Sequence, residues 1–364
     1  MKQKFISISR PVISSQEINS VKKVLKSGFL VAGENVKKFE KSFSRYLGVK
    51  YAIATSSGTS ALHTALWVLG IGKGDEIITT PFSFIASSNC ILYVGAKPVF
   101  VDIDEKTFNL DPSLIEEKIT ERTKALLIVH LFGQPCDMKP ILKICRKHKL
   151  LLIEDCAQAV GAEYKRKKVG SFGDVACFSF YATKNLMTGE GGMIVTNKKR
   201  IAELARMIVD QGQRKKYDHA VLGHNFRMTE VEAAIGLIQL KKLEKWNEKR
   251  RTNAEFLNER LEEVKEVEIP YVLPACKHVY HQYVIKAKKR DKLQTHLFRR
   301  GIGTAIHYPK PIYRQILYTK LGYNLRLPKV EKVVKEVLSL PIHPLVSKRD
   351  LDRIVKEVRN FYGK

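Results

Sequence analysis

A lysine stands between two apolar runs of the chain, in the stretch FSFYATKNLMTGEGGMIVT (178–196). Lys184 is followed by Gly189, Gly191 and Gly192, which permit a tight turn and a close approach of the backbone to a ligand. Most lysines of this basic chain are expected at the surface, but the flanking apolar runs favour a turn between buried strands. Lysine forms a Schiff base with an aldehyde, and burial lowers its pKa enough to leave part of it neutral. Lys184 is therefore a candidate nucleophile.

A carboxylate ends another apolar run, in the stretch LLIEDCAQAVGA (151–162). Asp155 closes the run and Gln158 follows three residues later. A carboxylate at such a place must be hydrogen-bonded or paired with a cation. Asp155 is then either a cap for the following segment or the partner of a protonated heterocycle nitrogen, such as a pyridinium.

Two further stretches follow apolar runs. In SSGTSAL (56–62), Gly58 lets the backbone approach closely and Thr59 adds a hydroxyl beside the free N–H groups of a helix start, which suits a phosphate. Taken alone, this stretch is equally typical of an ordinary Ser/Thr helix cap. In PFSFIAS (81–87), Phe84 either packs in the core or offers an aromatic face to a flat ring.

These four features follow different strands of one predicted sheet. Ligands of open α/β sheets bind beyond the carboxyl ends of the parallel strands, so we expect the features to meet there. An anion site, a carboxylate, a lysine and an aromatic face match the phosphate, ring nitrogen, aldehyde and ring face of pyridoxal 5'-phosphate (PLP). The sequence therefore predicts a PLP site and no metal site.

Short apolar runs alternate with amphipathic segments between about residues 50 and 200. The runs are YAIAT, EIITT, PVFVD, ALLIVH, LLIED, VACFSF and GMIVT. This alternation predicts an α/β domain with a mixed, mostly parallel sheet. The last two runs have no helix between them, so one of them is expected to be antiparallel.

A different pattern begins near residue 229, where Thr229 and Glu232 form a capping box before a long helical pattern. Strand-like HVYHQYVIKA (278–287), a helix near 291–300 and a C-terminal amphipathic helix follow. We expect a large domain over residues 1–247 and a smaller C-terminal α/β domain over 248–364. The N-terminal segment of the large domain is expected to be able to pack on the smaller one.

The charge is unusual, at +27 over 364 residues. Such a balance suits nucleic acid, an anionic membrane or anionic small substrates. No zinc-finger, RRM or homeodomain pattern accompanies it, which disfavours nucleic acid as the partner. No apolar run is long enough to span a bilayer, and the six cysteines form no C-x-x-C pair. We therefore expect a cytoplasmic protein with reduced thiols and no membrane partner.

With these motifs together, the sequence resembles the DegT/DnrJ/StrS family of PLP-dependent nucleotide-sugar aminotransferases. The resemblance covers essentially the whole chain and rests on the order and spacing of SGFLVAGENVKKFE, SSGTSALHTAL, GDEIITTPFSFIASSN, VHLFGQPCDM, IEDCAQAVGA, GSFGDVACFSFYATKNLMTGEGGMIVT, GHNFRMTEVEAAIG and GIGTAIHYPKPIY. It implies the aspartate-aminotransferase-like fold (PLP fold type I) and a homodimer with active sites shared across the subunit interface.

The resemblance also implies a role for each candidate residue. Lys184 matches the Schiff-base lysine and Asp155 the partner of the pyridinium nitrogen. Gln158 matches the residue beside the 3-oxygen of PLP. His307 and Tyr308 match a loop near the sugar and are the expected substrate-binding residues.

The phosphate contacts are implied in the same way. Ser179, Gly58 and Thr59 match the phosphate site, and Phe84 matches the aromatic residue over the cofactor ring. Asn225 matches an asparagine that the neighbouring subunit lends to the phosphate.

The implied reaction moves an amino group from L-glutamate to a keto group, at C3 or C4, of a nucleotide-linked deoxy sugar, in amino-sugar or cell-surface polysaccharide biosynthesis. Two alternatives remain open: a PLP-dependent sugar dehydratase, and a regulatory or nucleic-acid-binding protein that retains the fold. The dehydratase branch of the family has histidine in place of the lysine, so Lys184 disfavours it. The stretch IHYPKPIY is more similar to relatives acting at C3, while the sugar and the nucleotide stay undetermined.

Overall fold

The computed structural model describes residues 5–363. The α-helices of this range are α1 Ser15–Ser27, α2 Glu34–Leu47, α3 Gly58–Val68, α4 Ala86–Tyr93, α5 Met138–His148, α6 Lys199–Val209, α7 Glu230–Leu261, α8 Arg290–Arg299, α9 Ile316–Lys320, α10 Pro328–Glu336 and α11 Lys348–Phe361. The strands are β1 Tyr51–Thr55, β2 Glu76–Thr79, β3 Lys97–Phe100, β4 Thr123–Val129, β5 Leu151–Asp155, β6 Glu163–Tyr164, β7 Lys167–Lys168, β8 Val175–Ser179, β9 Gly192–Thr196, β10 Gln213–Lys215, β11 Asp218–His219, β12 Val267–Glu268, β13 Cys276–Lys277, β14 Tyr283–Ala287 and β15 Val337–Leu340.

Seven strands form the central sheet, in the order β1-β9-β8-β5-β4-β2-β3. β9 runs antiparallel to both of its neighbours, β8 and β1, and the other pairs are parallel. β1 and β8 are both antiparallel to β9 and therefore run in the same direction, so β1, β2, β3, β4, β5 and β8 all end at the same edge. The mixed, mostly parallel sheet and its one antiparallel strand are confirmed, and each of the seven apolar runs contributes one strand.

The central sheet is buried on both faces, which explains why its strands read as continuous apolar runs. Along β4, Leu127 packs into a core on one face, whereas Leu126 and Ile128 pack into another core on the opposite face. Helix α3 covers the first face with Ala61, Leu66 and their neighbours. The sheet therefore supplies a rigid base for the residues at its edge.

Helix α7 begins at the predicted capping box, with Thr229 as its N-cap and Glu232 bonded back to the cap. It packs against α1, α2 and α11. Residue 248 lies inside this continuous helix, and the domain division at 247/248 stays a prediction. Beyond α7, β12, β14 and β15 form an antiparallel sheet. Ile6, near the N-terminus, belongs to the hydrophobic cluster that includes residues of β14 and β15, and its backbone N–H donates to the carbonyl of Gly301.

The expectation of a strand over 278–287 is wrong in its first half, because the strand begins only at Tyr283. The preceding backbone bonds instead to a loop after β4: Val279 donates to the carbonyl of Gly133 and Gln282 to that of Phe132. These bonds hold the segment 278–282 against the end of the central sheet, where it does not form a ladder.

All six cysteines are free, and five of them are buried. Among the described residues, no helix is both long and apolar enough to cross a membrane.

Glu230 joins α7 to the start of α2 and gives a test of this packing. Its buried carboxylate accepts hydrogen bonds from the backbone N–H groups of Gly33, Asn35 and Val36, at 2.8–2.9 Å. These are groups of a helix start that have no partner within the helix. We expect Glu230→Ala to lower the free energy of unfolding by about 3 kcal/mol, because charged hydrogen bonds are lost and buried donors stay unpaired.

Urea unfolding of the variant measures this loss. Glu259→Ala, an exposed change on the same helix, is the control and should alter the unfolding free energy by less than about 0.5 kcal/mol. Equal effects of the two substitutions would contradict the role given to Glu230.

Candidate active site

A cavity of about 560 Å³ opens at the edge of the sheet where β1, β2, β4, β5 and β8 end. It brings together nine of the ten residues singled out in the sequence: Gly58, Thr59, Phe84, Asp155, Gln158, Ser179, Lys184, His307 and Tyr308. The volume is in the range of small-molecule sites in proteins. The placement agrees with the expected meeting of the motifs, while the individual roles stay predictions.

One end of the cavity is formed by the start of α3. Ser57 caps the helix: its hydroxyl accepts from the N–H of Ser60 at 3.1 Å. The cap leaves the N–H groups of Gly58 and Thr59 without a partner inside the helix. A side chain at position 58 is excluded, because its Cβ would lie 2.7 Å from the Cβ of Ser179. Free N–H groups, the helix dipole and the hydroxyl of Ser179 together suit an anion such as phosphate.

Asp155 is the last residue of β5 and is buried. Its Oδ2 accepts a hydrogen bond from the hydroxyl of Ser87 at 2.7 Å, and its Oδ1 accepts from the N–H of Ala157 at 3.0 Å. Ser83 donates in turn to Ser87 at 2.9 Å. Burial raises the pKa of Asp155 despite these bonds, so a cationic group beside the carboxylate would stabilise its charged form.

Lys184 lies in the turn that follows β8, and its side chain is half-buried. Burial lowers the pKa of Lys184 to about 8, and the negative charge of Asp155 partly opposes this shift. None of the hydrogen bonds or ion pairs among residues 5–363 involves its Nζ atom. Part of the amine is therefore neutral near neutral pH, far more than for a lysine with the ordinary pKa.

A short chain of hydrogen bonds lines a further wall. Gln158 accepts from the N–H of Phe132 at 2.8 Å and donates to the hydroxyl of Tyr308 at 3.1 Å. The ring of Phe84 lies 6.5 Å from that of Tyr308 and remains 58% exposed, so it is not a core residue. Nδ1 of His307 lies 2.8 Å from the hydroxyl of Ser339, and burial lowers the pKa of His307 to about 4.

The tenth candidate, Asn225, lies outside the cavity of its own chain and is exposed. Its neighbour Phe226 accepts a backbone hydrogen bond from Ser56 at 2.7 Å, so Asn225 sits near the start of α3. The family resemblance implies that Asn225 serves the site of a partner subunit, and this assignment stays a prediction.

Sequence reasoning missed several cavity residues, among them Ser87 and His281. No local pattern distinguished Ser87, because Ser83, which donates to it, lies in the turn before α4 and not on the helix. No signal marked His281 either, because it lies in the segment that the sequence predicts to be a strand.

Residues 11–359 match the DegT/DnrJ/EryC1/StrS aminotransferase family. The chain belongs to this family. It is 44% identical over 343 residues to the pleiotropic regulatory protein of Geobacillus stearothermophilus, covering 93% of this chain and 92% of that protein. It is 42% identical to the dTDP-3-amino-3,6-dideoxy-alpha-D-galactopyranose transaminase of Aneurinibacillus thermoaerophilus, covering 94% of both. The crystal structure of S. venezuelae DesV superposes with a TM-score of 0.93 at 37% identity, covering 96% of this chain and 95% of DesV. The resemblance and the PLP fold type I are confirmed.

Aminotransferases of the DegT family depend on PLP, and the cavity fits this cofactor. The start of α3, closed to any side chain at Gly58, suits the phosphate. A buried carboxylate at Asp155 suits the ring nitrogen, and the free amine of Lys184 suits the aldehyde. The cavity therefore offers one chemical group for each of the phosphate, the ring nitrogen and the aldehyde of PLP.

The lowered pKa of Lys184 predicts how the attachment of PLP depends on pH. Only the neutral amine reacts with an aldehyde, and Lys184 becomes neutral as the pH rises through about 8 instead of its ordinary 10.5. We expect the rate of covalent attachment to the PLP-free protein to rise with pH, to be half-maximal near pH 8 and then to level off. Stopped-flow absorbance measures this rate; a midpoint at the ordinary lysine value would contradict the prediction.

Proposed function

We propose that this aminotransferase moves an amino group from L-glutamate to the keto group of a nucleotide-linked deoxy sugar. The observation that carries the proposal is the convergence of Lys184, Asp155 and the start of α3 in one cavity. The relative from A. thermoaerophilus, named for a dTDP-linked amino sugar, supports the substrate class. The cavity itself has a volume of about 560 Å³, which leaves room for a substrate beside the cofactor.

When bound, PLP supplies an aldehyde that carries the amino group and a ring that holds electrons released at the substrate carbon. Lys184 is proposed to move the proton between the substrate and that aldehyde carbon. A pKa of about 8 suits this task, because the amine both accepts and returns a proton near neutral pH.

Asp155 is proposed to keep the ring nitrogen protonated. Its two oxygens are held by Ser87 and Ala157, so the carboxylate is oriented before any ligand arrives. Such preorganised charge costs no rearrangement during the reaction. Gln158, held by Phe132, is proposed to fix Tyr308 at the side of the cavity where the sugar enters.

A net charge of +27 attracts anions towards the protein. The diphosphate group of a nucleotide-linked sugar is such an anion, so the charge of the chain supports this substrate class. We propose amination at C3, supported by the similarity of IHYPKPIY to relatives acting there and by the 3-amino product in the name of the A. thermoaerophilus enzyme.

A homodimer with shared sites is part of the proposal. Another subunit would bury exposed apolar side chains, such as those of the consecutive residues Phe29, Leu30 and Val31. Exposed Asn225 is available to a neighbouring subunit and not to its own cavity. Light scattering of the purified protein, which should give twice the mass of 41.5 kDa, tests this part.

A product assay tests the function. The holoenzyme is incubated with L-glutamate and a panel of keto-sugar nucleotides that carry dTDP, UDP or GDP and a ketone at C3 or C4. Mass spectrometry and NMR identify an amino sugar and the carbon that bears nitrogen. Formation of a deoxy sugar with release of ammonia would support the dehydratase alternative instead. Absence of any product, together with DNA binding that weakens steeply with salt, would support the regulatory alternative.

A further inference from the structure

His281 lines the cavity but has no place in the chemistry described above. It is buried, in the irregular segment before β14. Arg250 of α7 fixes that segment, because its buried guanidinium donates to the carbonyls of Tyr280 at 3.1 Å and His281 at 3.4 Å. The backbone of His281 is thus held in place from the core side.

The hydrogen bond at Nδ1 decides which ring nitrogen of His281 carries the proton. Nδ1 lies 3.3 Å from Oδ1 of Asn185. The amide group of Asn185 donates to the carbonyl of Val279 at 3.0 Å and to Oδ1 of Asn247 at 2.8 Å. A carbonyl only accepts, so the amide of Asn185 is fixed with its oxygen towards His281. Nδ1 must therefore be the donor, and Nε2 keeps its lone pair.

The surroundings also keep the ring neutral. His281 is buried beside three cationic or protonatable groups, Lys184, Arg250 and His307. Burial and these neighbours lower the pKa of His281 well below its ordinary value. The ring is thus expected to be a neutral imidazole at neutral pH.

Nε2 makes no hydrogen bond to any residue of 5–363 and keeps access to the cavity that His281 lines. A neutral nitrogen with a free lone pair accepts a hydrogen bond and offers no proton in return. A sugar hydroxyl can donate to it, whereas a keto oxygen only accepts and is repelled. Nε2 is therefore able to distinguish a hydroxyl carbon from a keto carbon.

We infer that His281 determines which ring carbon of the sugar is aminated, by accepting a hydrogen bond at Nε2 from the hydroxyl adjacent to the keto carbon. This inference rests on the proposed function and deepens it. In a positional isomer, with ketone and hydroxyl exchanged, the keto oxygen faces Nε2 of His281. Both atoms are acceptors, so neither has a hydrogen-bond partner. Sites that pair with a substrate hydroxyl discriminate strongly for this reason.

The test compares His281→Phe, which keeps the size of the ring but removes the acceptor, with His281→Gln, which retains an oxygen acceptor. Stopped-flow absorbance follows the two half-reactions separately: loss of the PLP band with L-glutamate, and its return with each keto-sugar isomer. We expect His281→Phe to lower kcat/KM for the preferred isomer by about 10- to 100-fold, the cost of a lost hydrogen bond to a buried group. The other isomer and the L-glutamate half-reaction should change little, and His281→Gln should recover part of the loss.

His148→Phe is the control, since His148 lies on α5, is half-buried and does not line this cavity. It should leave the preference between isomers unchanged. Equal losses in both half-reactions, or for both isomers, would mean that His281 only supports the fold and would overturn the inference. An unchanged preference in His281→Phe would overturn it as well.

The proton position has its own test, which needs no turnover. NMR of the holoenzyme labelled with ¹⁵N-histidine, assigned by comparison with His281→Phe, should show His281 neutral at neutral pH, with its proton on Nδ1. A proton on Nε2, or a charged ring, would overturn the inference even if the sugar assay succeeds. If the wild type aminates no sugar of the panel while the NMR result holds, the proposed function fails and the tautomer stands.

Discussion

Lys184→Ala is expected to lower turnover by about 10³-fold or more and to leave PLP bound without a covalent link. The amine of Lys184 is the proposed nucleophile of the cavity and the proposed carrier of the proton, and general acid–base catalysis alone contributes factors of this size. Amino transfer from L-glutamate measures the loss. Borohydride reduction followed by peptide mass spectrometry should fix the cofactor to Lys184 in the wild type and to no lysine in the variant.

Lys199→Ala is the control for this prediction. Lys199 lies on α6 with 74% of its side chain exposed, outside the cavity. It should retain full activity and the modified Lys184. Near-normal turnover of Lys184→Ala, or attachment of the cofactor at another lysine, would show that the assignment of the nucleophile is wrong.

The second large effect is expected for Asp155→Asn, which should lower kcat by about 10²- to 10³-fold, the typical loss for one preorganised electrostatic group. The new amide can keep its oxygen towards the N–H of Ala157 and donate from its NH2 group to the hydroxyl of Ser87, so the shape of the site is kept while its negative charge disappears. The charge of Asp155 also raises the pKa of Lys184. The pH midpoint of PLP attachment should therefore fall below about 8 in this variant.

Asp174→Asn separates this effect from a general loss of charge in the sheet. Asp174 accepts from the N–H of Leu152 at 2.8 Å, next to the start of β8 and away from the cavity. We expect a small loss of stability, with kcat and the pH midpoint unchanged. Should Asp155→Asn leave kcat intact, or raise the midpoint, the pairing of Asp155 with the ring nitrogen would have to be abandoned.

The Lys184→Ala and Asp155→Asn variants both test how burial and charge act on the ionisable groups of the cavity. Burial at the end of the sheet shifts Lys184 towards its neutral form and Asp155 towards its protonated form. A bound cationic ring nitrogen changes the balance for Asp155, because an opposite charge favours the carboxylate. The cavity is thus prepared for its cofactor by groups whose burial is costly until the cofactor is present.

Much of this architecture was predictable. The runs of the central sheet are continuous and apolar because both faces of the sheet are buried, so each could be recognised locally. Thr229 and Glu232 marked the start of α7 through a pattern of four residues. Lys184 and Asp155 stood out since a charged group beside an apolar run must have a partner or a function.

The segment 278–282 is an example of structure that local sequence patterns do not predict. Its composition is typical of a strand, but its N–H groups bond to carbonyls of Gly133 and Phe132, far away in the chain. No local pattern encodes that choice, which depends on the chain folding back against the end of the sheet. The error concealed His281, the residue to which we assign the selection of the sugar carbon.

By itself, the sequence determined the family, the order of the strands along the chain and the four chemical groups that are expected to recognise PLP, because these depend on residue type and short spacing. Only the tertiary structure decided that Ser87 orients Asp155 and that Asn185 holds the proton of His281 on Nδ1. Both are hydrogen bonds between segments distant in the chain, with geometry set by the packing of α4 and α7 around the sheet. Their direction follows from which groups accept and which donate at those positions, and that is a property of the folded protein.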